Sequence, residues 1–176
     1  MDWTSIFSQH NPRPGALASE IVLLADTIFL PLSIAEMRDA QTQSARIDPT
    51  KWQLPDAELP ASFLDFLQFS NGGDFGNGER WFQFFPALDS KHGLRAMLLA
   101  YEFPEYMPLA LPFAFNGGGT FYAFDLRRKA IDGEYPVVAS HASCLGWNSD
   151  DHWLVAPTFR QACSGTTNID SREGDV

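Results

Sequence analysis

Apolar residues recur at helical spacing in the first third of the chain and in short, dense runs over the rest. Ile21, Leu24, Ala25 and Ile28 fall three and four apart, which predicts an amphipathic helix from about Ala16 to Phe29. Pro31 ends or kinks it, because a proline ring clashes with the preceding helical turn. Ile34, Met37 and Ala40 predict a shorter second helix, and the polar stretch from Gln41 to Asp56, with Pro49 and Pro55, reads as a loop. A third helix opens at Pro60, whose missing N–H costs nothing at a first helical position. Phe63, Phe66, Leu67 and Ser70 line one face of it, and Asn71-Gly72-Gly73 stops it. One of those two glycines is expected at positive φ, where glycine reverses a chain cheaply.

Trp81 to Phe85 is a compact aromatic run and predicts a strand closed by Pro86. Leu94, Met97, Leu98 and Tyr101 mark another helix, ended by Pro104 and Pro108. Leu111–Phe115 and Thr120–Leu126 flank Asn116-Gly117-Gly118-Gly119, the pattern of a β-hairpin with a glycine-rich turn. The second of these strands is apolar on both faces until Asp125, which places it centrally in a sheet. Asp132-Gly133 predicts a turn into a further strand at Pro136 to Ser140, and Trp147, Trp153, Leu154 and Phe159 are expected to close the core. Phe82, Phe84, Phe121 and Phe124 should then be buried. Helices followed by a meander of strands with one inserted helix give an α+β class: a layer of helices on a mostly antiparallel sheet. Residues 1–163 form one domain in this reading, and Ser164 to Val176 a disordered polar tail.

Composition bears on function. With 176 residues, 45% apolar and 14% aromatic, the chain can fill one core of ordinary size. Its 22 Asp+Glu against 12 Lys+Arg leave a formal net charge of -10, which disfavours nucleic acid and anionic membranes and steers in basic protein partners. The start, Met-Asp-Trp, lacks a signal peptide's basic region and apolar run, and Ile21 to Leu32 is too short to span a bilayer. A cytoplasmic location is therefore expected, with Cys144 and Cys163 read as free thiols although a pairing of the two stays open.

No chemical motif stands against its plain structural reading. Asp74-Phe75-Gly76 spells the kinase magnesium motif without a catalytic loop or strand lysine. Asn116-Gly117-Gly118-Gly119 runs strand to strand, whereas phosphate loops run strand to helix and carry a lysine. His141, Cys144, Asp150, Asp151 and His152 could be drawn as a metal cluster, yet no Cys-x-x-Cys or His-x-x-x-His spacing supports one. His141 near Ser140, Ser143, Cys144 or Cys163 carries no triad, since triads are set in space and not along the chain. No catalytic residue, cofactor or metal is expected.

From Leu59 to Asp125 the chain resembles the SUKH superfamily, in particular its Smi/Knr branch. The residues that carry this are Leu59-Pro60, Phe63, Phe66-Leu67 and Asn71-Gly72-Gly73. The strand Leu111–Phe115, the turn Gly117-Gly118-Gly119 and the run Tyr122 to Asp125 follow, with Phe159 matching a closing Phe in a short C-terminal helix. Two features depart from the pattern: Phe113-Ala114-Phe115-Asn116 stands where the family has an Ile-Gly-x-Asp type of sequence, and the loop before Leu59 is longer than usual.

The resemblance implies an α+β domain with a mixed sheet and flanking helices, and no enzymatic activity. It also implies an immunity protein that neutralises a cognate polymorphic toxin, such as a basic nuclease, by direct binding. A regulatory adaptor of the same fold, bound to an endogenous protein, is the alternative, and an enzyme the third reading. If the partner is basic, acidic loop residues beside aromatic anchors are the expected contacts. These are Asp74 and Glu79, Glu102 and Glu105, and Asp150 and Asp151 beside Trp147 and Trp153.

Overall fold

The predicted helices and strands assemble on one antiparallel sheet in a computed structural model that describes residues 2–43, 46–128 and 130–170. Seven strands lie in chain order across it: β1 (Gln9–Pro12), β2 (Gly73–Asn77), β3 (Arg80–Phe84), β4 (Ala110–Phe115), β5 (Thr120–Asp125), β6 (Val137–His141) and β7 (His152–Ala156). All six pairings are antiparallel, a meander where the resemblance implied a mixed sheet. Helices α1 (Ala18–Thr27), α2 (Ile34–Gln43) and α3 (Ala61–Phe69) lie between β1 and β2. Helices α4 (Leu94–Ala100) and α5 (Phe103–Tyr106) lie between β3 and β4, and α6 (Phe159–Ser164) follows β7. The class is α+β.

Strand alternation sends neighbouring side chains to opposite faces, so Phe121 and Tyr122 serve different cores. On one face, Phe63 and Phe66 of α3 and Phe159 of α6 pack with Phe84, Phe113 and Phe124, at ring separations of 4.3 to 6.0 Å. On the other, Phe103 and Tyr101 meet Phe121 edge-on, and Phe115 stacks on Phe121 at 4.0 Å. Helices therefore cover both faces rather than the single layer expected. Phe82, Phe84, Phe121 and Phe124 are all buried, as expected of an aromatic sheet between helices. β5 is buried along its whole length, with β4 and β6 on either side.

Local chemistry explains the boundaries. Pro60 sits one position before α3, its carbonyl accepting from the Phe63 and Leu64 N–H groups. At the other end Gly72 and Gly73 stand at φ 86° and 110°. Asn71 Oδ1 accepts from Ala87 N–H at 2.7 Å, which ties this turn to the segment after β3. In the β4–β5 hairpin Asn116 Oδ1 accepts from the N–H groups of Gly118 and Thr120. Helix α2 begins in a reciprocal cap: Ser33 Oγ accepts from Glu36 N–H, and the Glu36 carboxylate accepts from Ser33 N–H at 2.8 Å. It continues to Gln43, and Pro49–Lys51 forms a short 3₁₀ turn inside the stretch expected to be loop.

Three expectations change. β1, β2 and β7 were not foreseen as strands, and Leu154, expected in the core, is 63% exposed on β7. The polar segment after Ser164, expected to be disordered, is described as far as Asp170 and lies against the sheet. Arg80, itself buried, donates to the carbonyls of Ala162 and Thr167, and Asp170 accepts from Asn116 and Thr120. Ile169 is buried beneath it. Residues 171–176, the rest of that expected tail, lie outside the described residues.

Candidate functional site

The α4–α5 face carries two grooves that meet at Tyr101. The first, about 620 Å³, runs between β2–β3 and α4 past Arg13, Asp74, Gln83, Lys91, Met97 and Tyr101. The second, about 440 Å³, lies between the α4–α5 corner and the loop after β6, lined by Tyr101, Glu102, Tyr106, Ala142, Cys144 and Leu145. Tyr101 is 36% exposed and Tyr106 49%, and the Tyr101 ring rests edge-on against Phe115 and Phe121. A rigid, half-supported aromatic ring at a seam between grooves is the kind of anchor protein interfaces use.

Glu102 turns the corner between the helices at φ 55°, a left-handed conformation that side chains rarely adopt. Its carbonyl accepts from the N–H groups of Glu105 and Tyr106, which starts α5. Desolvation, then the charges of Glu102 and Glu105, push the Tyr106 hydroxyl pKa upward. Glu105 accepts from Trp52 Nε1 at 2.8 Å, so its carboxylate also holds the 3₁₀ turn against α5.

The loop 142–151 is tied down by its own polar residues. Asp125, buried at the end of β5, is gripped by Arg127 through Nε and Nη2, each at 2.8 Å. Burial alone would raise the Asp125 pKa, but the Arg127 hydrogen bonds and charge hold it below the usual carboxylate value. The Arg127 guanidinium lies 3.4 Å from the Trp147 ring centre, a cation–π contact, and Trp147 Nε1 donates to Pro108 O. Trp147 is thus an internal staple of this loop. His152 Nδ1 lies 2.9 Å from Asn148 O, Asp151 Oδ2 accepts from Asn148 Nδ2, and His141 Nδ1 meets Ser143 Oγ at 2.8 Å. His141, Asp151 and His152, three of the side chains that could be drawn as a metal cluster, thus hold the loop's own shape. Among the described residues no three of His, Cys, Asp or Glu converge on a metal-sized site.

Of the residues singled out as partner contacts, Asp74 lines the first groove and Glu102 the second. Glu105 sits on α5 beside the second, and Trp147, Asp150 and Asp151 lie on the loop that walls it. Glu79 lies apart in the β2–β3 turn, where its N–H donates to Thr166 O, and Trp153 is half-buried on edge strand β7. Tyr101 falls on the expected helix face, and Tyr106 lies beyond Pro104, where that helix was expected to end, so neither stood out in the sequence. Cys144 is exposed and Cys163 buried, both as free thiols; burial pushes the Cys163 thiol pKa up.

The model of the SMI1 / KNR4 family (SUKH-1) matches residues 42–162, which span most of the chain from the end of α2 into α6. The chain belongs to the SMI1/KNR4 family. Domains of the SUKH-1 family are generally non-enzymatic, with immunity and regulatory roles, and bind protein partners. The matched span holds both glycine turns and both grooves' aromatic seam, while β1 and α1 precede it. No curated protein is similar enough to match the chain. Among the described residues no helix is long and apolar enough to cross a membrane.

Proposed function

We propose that this SUKH-1 domain is an immunity protein that neutralises a cognate toxin domain by binding it through the α4–α5 face. The observation that carries the proposal is the aromatic seam at Tyr101 and Tyr106, bordered by Glu102 and by residues 142–145 of the loop that also carries Asp150 and Asp151. A net charge of -10 speeds encounter with a basic partner, and a desolvated tyrosine holds the complex once formed.

Co-expression with the toxin encoded beside its gene tests this reading, with surviving cells counted and the affinity of the purified pair measured. Tyr101→Ala is expected to weaken binding by about 2 kcal/mol or more, mainly through faster dissociation. Reversal of Glu102 and Asp150 to lysine should slow association and flatten its salt dependence. An absence of both protection and binding would overturn the immunity reading and favour an adaptor role. Protection that survives all three changes would move the interface elsewhere on the domain.

A further inference from the structure

The two edges of the sheet differ in chemistry. β1, at one end of the strand order, reads Gln-His-Asn-Pro, is exposed throughout, and ends in Pro12, which has no N–H to offer a neighbour. Polar side chains and a proline are standard protection for an edge. β7, at the other end, reads His-Trp-Leu-Val-Ala; it carries no proline and no charged side chain other than a histidine. β6 is its one strand neighbour among the described residues, and Leu154 stands 63% exposed in the middle of it. A register shift beside Val155 leaves His152 to Leu154 as its regular ladder.

The charges around β7 are ordered along the strand. Asp150 and Asp151 precede it, and Arg160, exposed on α6, follows it. Antiparallel pairing of this edge with its own copy sets the acidic end of each strand against the cationic end of the other. It also brings Leu154 near the two-fold axis, beside its counterpart. Isologous contacts require this self-complementarity. We infer that β7 is an association edge for a second copy of this chain, forming a two-fold dimer with a sheet continuous across both.

Sedimentation or light scattering over a dilution series of the full chain reads this directly. The expected result is a concentration-dependent mass approaching twice 19.6 kDa. Leu154→Lys puts like charges at the axis and should weaken the dimer about ten-fold or more, with the circular dichroism spectrum unchanged. Asp150→Lys should weaken it less, and adding Arg160→Asp should restore it, an outcome that a mere folding defect would not produce. A single-chain mass at every concentration overturns the inference, as does a dimer that both Leu154→Lys and Asp150→Lys leave intact.

Discussion

Gly73 shows how one residue type can be dictated by a backbone crossing. It sits at φ 110° with Asn11 O only 2.7 Å from where a Cβ would stand, because β1 passes directly beside it. Gly73→Ala should therefore cost at least about 1 kcal/mol, read as a lower urea midpoint at unchanged slope. Gly76 is a different case. It pairs across the ladder with Trp81, whose ring occupies the space above it, so the indole covers a position that could not carry a side chain of its own. In the core, Phe124 touches Phe63, Phe113 and Phe159 and is fully buried. Phe124→Ala should lose about 3–5 kcal/mol, since three rings cannot all collapse into the space it leaves. Equilibrium unfolding in urea reads that loss too.

Between elements, Arg95 of α4 performs the main fastening. Its guanidinium lies within 3.0 Å of the carbonyls of Thr27, Ile28 and Leu30, capping the end of α1, and it pairs with Glu36 of α2 at 2.7 Å. Glu36 responds to this bond first: the Arg95 guanidinium holds its pKa down to about 2, against an ordinary 4.5. A depressed folded-state pKa stabilises above the unfolded value and ceases to do so as pH falls through the folded one. The stability gap between wild type and Glu36→Gln should thus be full above about pH 5 and close as pH approaches about 2. Denaturant midpoints measured across that range check the sign. Arg95→Ala, which frees three helix-end carbonyls at once, should lose about 2–3 kcal/mol at neutral pH.

At the scale of the whole molecule, the segment after α6 closes the fold at one end of the sheet. Arg80 is buried among neutral partners, the carbonyls of Ala162 and Thr167 and the Thr167 hydroxyl, and the Glu79 N–H donates to Thr166 O. A buried cation held by neutral oxygens needs every one of them. Arg80→Ala should then loosen the segment from Gly165 to Asp170, seen as faster carboxypeptidase trimming, with a stability loss of about 3 kcal/mol. Such a variant leaves the Tyr101 seam intact, so toxin protection should persist wherever the domain stays folded.

Helix α3 and the β4–β5 hairpin were legible in the sequence because each has a local cause, whereas the Phe159 helix was expected only from the family resemblance. Phe63, Phe66 and Leu67 share a face, Gly72 and Gly73 permit the turn, and the Asn116 side chain builds its own hairpin. The family, too, lay in those motifs. β1 and β2 did not, since Gln-His-Asn-Pro and Gly-Asp-Phe-Gly-Asn have low intrinsic strand preference and become strands only by pairing, β2 with β3 and β1 in turn with β2. The acidic candidates were visible one by one, but their grouping was not. Asp74 and Glu102 border a shared tyrosine only because α4 crosses from one groove to the other, and Trp147 turns inward because Arg127 and Pro108 O lie beneath it. Periodicity and turn chemistry act within a few residues and can be read from the chain. Which side chains meet across 20 or 80 positions depends on how the sheet is ordered, and only the tertiary structure decided that.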